Sequence, residues 1–482
     1  VRKRDGRVIP FDPDAISQDL FTAAESLGTA DPFLTRELTD GVLHFLAADN
    51  ADAILTTDAV AELVVKVVRE LRQPRLAEAF AERPRPAPLA VPQPAELVRQ
   101  ALTTFSLDHV YGRDLAAAHR AGLLVLTGLD APAQLAAITV TVADPALPLD
   151  YLAPLARARR LASGWAVLDN PPPSEAMARI IAGAGLPVRV QLNSTAAPAA
   201  APLFAEVSEP QHADPGVLFD AAAVDWHLAD ADFSGPADRL LRPIRHALDG
   251  RDVAFVFDRP KRPPSLGPGL DRQHPAVLLV AGMHLPALAR HADADGDVEL
   301  FLRKLGSLAR LAVSAAVQKR QYLRQHGDES LRRGLLLERA TLLVAPLGLD
   351  AVVRTFTGTG IVEGKPALDL ARRLVEHMQA ALTDEGRRRL VDTVLDAPPV
   401  PTFDNEEAGL TTWDADAPAE RQLSASGKLH AVASSGTAVV AFADRPAAER
   451  VAELLAYAWR QTEVARLQLG VRRPAAPALL PA

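Results

Sequence analysis

Two sets of side chains in this sequence have types and spacings that can do chemistry, and one residue type is missing altogether. The chain opens Val1-Arg2-Lys3-Arg4-Asp5-Gly6-Arg7, so Lys3, Arg4 and Arg7 flank an Asp5-Gly6 pair. Asp-Gly between two short runs favours a hairpin turn with positive φ. Cations carried on such a hairpin can fold over a phosphate chain and hold it by charge-assisted hydrogen bonds. The same residues also suit a solvated basic turn, and the pattern alone leaves both readings open. Further along, Asp130, Asp169, Asn193, Asp258 and His284 each stand at or just after the end of a short apolar run. In parallel α/β folds the carboxyl ends of the strands carry the ligands, so these five outline a pocket. Asp and Asn at such places also cap the next helix, and that alternative applies to each position.

The missing type is cysteine: 482 residues contain none. A disulfide framework, a Cys-ligated zinc or iron–sulfur site, a thiol nucleophile and a thiyl radical are all excluded. The twelve histidines are scattered, with no two-His-plus-carboxylate set at metal spacing. Gly358-Thr359-Gly360 through Gly364-Lys365-Pro366 has the wrong glycine spacing for a phosphate loop, and Pro366 occupies the Ser/Thr position. Ser434-Ser435-Gly436 lacks the glycine pattern of a nucleophile elbow. His291 to Asp297 is acidic but lacks the terminal glutamate of a calcium loop. Asp258-Arg259-Pro260-Lys261-Arg262 reads as a small basic surface loop. Lys plus Arg (52) against Asp plus Glu (60) gives a net charge of −8, which argues against a nucleic-acid partner. The charged opening residues and the short apolar runs predict neither a signal peptide nor a membrane helix, and so a cytoplasmic protein.

The elements that must position these groups fall into two textures. Asp12-Pro13 opens a helix with Ile16, Leu20 and Leu27 on one face, ended by Gly28. Asp31-Pro32 starts a second helix, and Thr56-Thr57-Asp58 a third that carries Val60, Val64 and Val67. Residues 83–98 place proline at nearly alternate positions, which removes backbone donors and predicts a stiff linker. Beyond it, short apolar strands alternate with helices: 123–126, 138–142, 165–168, 188–192, 204–207, 224–228, 253–257 and 277–280. This alternation predicts parallel α/β architecture, as a barrel or a doubly wound sheet. A long amphipathic helix is expected over 297–326 and another over 367–382.

The opening Lys-Arg-Asp-Gly hairpin, Pro10-Phe11-Asp12, Ile16 and the helix from Thr56 resemble the ATP-cone, a regulatory nucleotide-binding domain of ribonucleotide reductases. The resemblance covers residues 1–82 and implies that Lys3, Arg4, Asp5, Gly6, Arg7 and Thr56 face the nucleotide, ATP or dATP with magnesium. One departure stands out. The family usually has a lysine just before the isoleucine of the first helix, and here it is Ala15. Losing one charged phosphate contact costs about 1.5–3 kcal/mol.

The rest of the chain resembles the anaerobic, glycyl-radical class of ribonucleotide reductase. The resemblance rests on Asp114 to Asp130, with its His119 and Gly122, and on Met283-His284-Leu285-Pro286 through Arg290 before a long helix. Pro346 to Gly358 and Gln422 to Thr437 add to it. It implies a ten-stranded α/β barrel over 99–473, followed by a Pro/Ala-rich tail over 474–482. Members of that class depend on a cysteine that becomes a thiyl radical inside the barrel, on a glycyl-radical loop and usually on four zinc cysteines. Gly470 is not set in the expected radical motif, and the cysteines are absent. The resulting expectation is a reductase-like pseudoenzyme with no catalytic residues and no metal, whose cone senses adenine nucleotides. The barrel then serves as a scaffold for a homo-oligomer or a protein partner. Two alternatives stand beside it. One is an enzyme using non-radical chemistry through Asp130, Asp169 and Asp258; the other is a nucleotide-responsive transcriptional regulator.

Overall fold

The computed structural model describes residues 13–29, 31–49, 56–82, 93–142, 147–169, 171, 174–193, 222–234, 238–260, 265–291, 296–333, 336–400, 402–403, 408–410, 417–442 and 444–471. Its contacts divide the chain into two units, Val1–Pro92 and Gln93–Ala482.

In the first unit, four helices follow one another: α1 (Pro13–Ser26), α2 (Pro32–Asp49), α3 (Thr57–Glu70) and α4 (Pro74–Glu82). Pro13 and Pro32 sit at first-turn positions, where the missing N–H would have been unpaired anyway. The Thr56 hydroxyl accepts from the Ala59 N–H at 3.2 Å and caps α3. Leu20, Val42, Val64 and Val68 meet in a small core of their own. The expected hairpin over residues 1–9 lies outside the described residues, as does the strand expected over 204–207.

The second unit begins with α5 (Pro94–Phe105), so residues 94–98, read from their prolines as extended linker, are helical. Pro94 occupies the first turn of α5 and so starts the helix rather than breaking it. After α6 (Arg113–Arg120), β1 (Leu124–Leu126) leads into a row of five parallel strands. These are β2 (Leu135–Val140), β3 (Ala162–Asp169), β4 (Val188–Asn193), β5 (Ala223–Leu228) and β6 (Val253–Phe257). A small hairpin, β7 (Ser265–Gly267) and β8 (Leu270–Asp271), comes next. The second row runs β9 (Ala276–His284), β10 (Ala340–Leu347) and β11 (Thr393–Leu395), then the parallel pair β12 (Thr437–Phe442) and β13 (Arg466–Val471). β2 meets β9 antiparallel and β6 meets β13 antiparallel, giving the order β11-β10-β9-β2-β3-β4-β5-β6-β13-β12, with β1 pairing separately on β9.

No ladder joins the end strands β11 and β12 among the described residues, but side chains do. Ser435 Oγ donates to the Leu395 carbonyl at 2.9 Å, and the Asp396 carboxylate accepts from Thr437 and from the Gly436 N–H. Helices cover the outer face: α7 (Leu152–Leu161), α8 (Glu175–Ala182), α9 (Asp238–Leu248), α10 (Leu285–His291), α11 (Val298–His326), α12 (Glu329–Arg333), α13 (Leu349–Thr357), α14 (Lys365–Arg389), α15 (Ala419–Ala433) and α16 (Ala448–Gln461). Phe301, Leu305, Leu308, Ala312 and Ala316 of α11 recur at helical spacing and are buried against this outer face.

Candidate functional site

The inner face of the sheet is divided by chemistry. Ala137, Trp165, Val167, Val277 and Leu343 make one half apolar, and the hairpin residues Leu266 and Leu270 pack into it. The other half is polar because β4, β5 and β13 each alternate. Strand residues two apart share a face, so Arg189 and Gln191 project beside Asp225 and His227, with Arg466 opposite.

These side chains form a continuous network. Asp225, fully buried, accepts from Arg189 Nη2 at 2.7 Å, from Gln191 Nε2 at 2.8 Å and from Arg466 Nη2 at 2.8 Å. Burial alone would raise the Asp225 carboxyl, but the flanking Arg189 and Arg466 hold it well below the usual carboxylate range. Arg189 also donates to Asp252 at 3.0 Å and to the Pro399 carbonyl at 3.1 Å, which ties the strands to the segment after β11. Because Gln191 spends its N–H₂ on Asp225, its oxygen faces His227 Nε2 at 2.7 Å. The other ring nitrogen, Nδ1, lies 3.0 Å from the Asp258 carboxylate.

Next to this network is a cavity of about 180 Å³, bounded by the hairpin, Asp258, Asp396, Arg466 and the Ser434–Gly436 turn. Gly269 bends the hairpin at φ 73°, and a Cβ there would sit 3.1 Å from Thr341 Oγ1 and from Val277. Ser434 ends α15 in the left-handed region at φ 61°, unusual for a residue with a Cβ. Asp396 is buried, which pushes its carboxyl up to about 6; Arg466 and the hydrogen bonds from Ala397, Thr437 and Gly436 pull the other way. Among the described residues, the Arg466 Nη1 atom is buried with no hydrogen-bond partner.

The five strand-end residues do not converge. Asp258 alone borders the cavity. Asn193 ends β4 in register with His227, and Asp169 ends β3 exposed. Asp130 sits exposed in the loop after β1, near the buried Lys319 amine of α11, which burial lowers to about 7. His284 Nδ1 accepts from the Ala287 N–H at 3.1 Å and so caps α10. It is also carried to the opposite rim, because β9 runs antiparallel to β2 and the strand ends are not all on one side. Arg259, read as part of a surface basic loop, instead donates to the Trp459 and Ala458 carbonyls at the end of α16, at 2.8 and 2.9 Å. Sequence reading passed over Asp396, which follows β11 and carries no periodic signal, and also Arg189, Gln191, Asp225 and Arg466, which had a visible one. Their strands read Val-Arg-Val-Gln-Leu-Asn, Ala-Val-Asp-Trp-His-Leu and Arg-Leu-Gln-Leu, with polar groups at every second position.

In the first unit, Thr56 is the one member of the expected nucleotide set within the described residues; Lys3, Arg4, Asp5, Gly6 and Arg7 lie outside them. No group of three or more potential metal ligands occurs among the described residues, and no helix there is long and apolar enough to cross a membrane.

Residues 1–82 match the family model described as the ATP cone domain. No curated protein matches the chain. Solved structures do. The anaerobic ribonucleotide reductase from Thermotoga maritima with glycerol in the active site superposes with a TM-score of 0.54 at 11% identity, covering 78% of this chain and 82% of that one. The same organism's enzyme in complex with dATP and CTP gives a TM-score of 0.54 at 12% identity, covering 90% of each chain. With dATP bound in the specificity site it gives 0.52 at 11% identity, covering 96% and 92%. This chain therefore carries an ATP-cone domain at its N-terminus and a cysteine-free α/β body with the fold of the anaerobic ribonucleotide reductases.

Proposed function

We propose that the chain is a non-reducing relative of anaerobic ribonucleotide reductase, in which the cone senses adenine nucleotides and the barrel serves as a binding scaffold. One observation carries the reading. The hairpin that packs into the sheet interior turns through Gly267-Pro268-Gly269, and neither it nor any other segment supplies a thiol. The reductases whose fold the body shares need a thiyl radical inside the barrel to abstract hydrogen, and no side chain here replaces it. The cone reading is supported by the match over residues 1–82 and by the basic sequence of Lys3 to Arg7, with Thr56 at the start of α3. ATP or dATP, accompanied by magnesium, is the assigned regulatory ligand; the Thermotoga structure with dATP supports this class of effector. Ala15, where the family has a phosphate-reaching lysine, weakens the grip by one contact. The working state is a cytoplasmic homo-oligomer or a complex with a protein partner.

Calorimetric titration with ATP, ADP and dATP tests the cone. Saturable heat with at least one nucleotide is expected, and silence at millimolar concentrations of all three refutes that half. A reductase assay with an external radical activase and ribonucleotides is expected to give no deoxyribonucleotide; turnover would refute the other half.

A further inference from the structure

We propose that Asp271, His274 and Asp392 form a proton-operated clasp that fastens the exit of the interior hairpin to the β11 edge of the sheet. The clasp works whatever the scaffold holds, and so goes beyond the reading of the barrel's role. Its fixed half is the turn that leads from β8 into β9. Asp271 ends β8, and its Oδ1 accepts from the Gln273 N–H at 2.6 Å and from the His274 N–H at 2.7 Å. The same carboxylate lies 3.0 Å from His274 Nδ1, while His274 Nε2 lies 3.3 Å from the Asp392 carboxylate. Asp392 directly precedes β11, and its carbonyl accepts from the Leu342 N–H of β10 at 2.8 Å, so its position is set by the sheet. The ring therefore reaches across β10 and joins the hairpin exit to the strand beyond.

The chemistry of the partners decides what the ring must carry. Ionised carboxylates only accept, so both ring nitrogens need a proton to satisfy Asp271 and Asp392 together. A neutral ring has one N–H. Asp271 keeps it, because that contact is the shorter and the less exposed, and a bare Nε2 then faces Asp392. Burial alone would raise the Asp271 carboxyl, but the hydrogen bonds from His274 and Gln273 hold it below the usual carboxylate range. Histidine is the side chain whose charge changes between about pH 5 and 8. Two arginines complete the surroundings and stay charged throughout. Arg339 donates to the Gln273 and Arg272 carbonyls at 2.6 and 2.7 Å, and Arg320 of α11 feels both Asp392 and Glu338. Arg339, and the Thr341 hydroxyl that donates to the Gly269 carbonyl at 2.7 Å, hold the hairpin in either state of the ring. Opening the clasp thus loosens the exit and leaves Leu266 and Leu270 seated in the sheet interior.

Hydrogen–deuterium exchange on the full chain tests the clasp, with rates corrected for the intrinsic effect of pH and read against β9 in the same molecule. Protection of residues 270–274 is expected to fall about three- to tenfold between about pH 5.5 and about 8.5. The change is modest because Asp392 is well exposed and the lost contact is weak. His274→Gln, which cannot change charge, is expected to show no such fall. Asp392→Asn is expected to show none either, because an amide accepts from a ring N–H and donates to a bare ring nitrogen. Asp396 borders the same cavity as the hairpin and its carboxyl is raised to about 6, so Asp396→Asn is the control and is expected to keep the fall. Equal protection at both pH values in the unaltered chain overturns the proposal. So does a fall that survives in His274→Gln or Asp392→Asn. A fall that disappears in Asp396→Asn overturns it too, by assigning the effect to the junction of β11 and β12.

Discussion

At the scale of single residues, Asp225 and Asp396 are two buried carboxyls with opposite physics. Asp225 sits between two guanidinium groups and stays ionised. Asp225→Asn leaves Arg189 and Arg466 buried with half their compensation removed, and the expected loss is about 3–5 kcal/mol in urea unfolding. At Asp396 burial prevails and raises the carboxyl to about 6, against the pull of Arg466 and of backbone and hydroxyl donors. The sign follows from linkage. Since the folded value lies above the unfolded one of about 3.9, the contribution is fully present below pH 4 and is lost as pH rises through 6. Above that, ionised Asp396 costs about 3 kcal/mol relative to acid conditions. Asp396→Asn is expected to flatten the pH dependence of unfolding between 4 and 7; an unchanged slope would show that another group is responsible. Lys319 on α11 has the complementary sign. Its folded value of about 7 lies below the unfolded one, so stability is lost as pH falls through 7. Lys319→Met is expected to stabilise the protein by about 1–4 kcal/mol at pH 6 and by less at pH 9.

At the scale of elements, what the sequence reveals depends on how local the cause is. The helices over 13–26 and 298–326 were legible because caps, prolines and apolar spacing act within one or two turns. Strands β2 to β6 were legible as apolar runs, and their alternation with helices pointed to a parallel row. The reversal at β9 was not legible, since nothing within Ala276–His284 records which neighbour it pairs with. That single reversal is why His284 caps a helix on the far rim while Asp258 borders the cavity. The polar half of the interior was written in every-second-residue alternation on β4, β5 and β13, but it becomes a site only when three strands distant in sequence are set side by side. The hairpin was hidden for the opposite reason: β7 and β8 are three and two residues long, too short for periodicity. Its tip is testable. Gly269→Ala forces a Cβ into the left-handed region and within 3.1 Å of Thr341 Oγ1, with an expected cost of about 1–3 kcal/mol in thermal unfolding.

At the scale of the whole molecule, residues 1–92 and 93–482 have separate cores, the smaller built on Leu20, Val42 and Val64. Scanning calorimetry is therefore expected to resolve two transitions, with ATP raising the one that belongs to the smaller core. At a hundredfold excess over the dissociation constant, the shift corresponds to about 2.7 kcal/mol. A single transition that ATP leaves in place would contradict a nucleotide-binding cone. In the larger unit, ten of the eleven strands of the sheet form a row whose two ends meet through Ser435, Asp396 and Thr437 instead of a ladder. A ring joined by a handful of side-chain bonds on one side and by backbone ladders everywhere else has a preferred place to breathe. Amide protons of 393–395 and 437–442 should exchange with deuterated solvent well before those of β9 and β10, and ionisation of Asp396 sets how fast. The cavity beside that seam then has its own door, one that opens by parting two strands while the rest of the sheet stays shut.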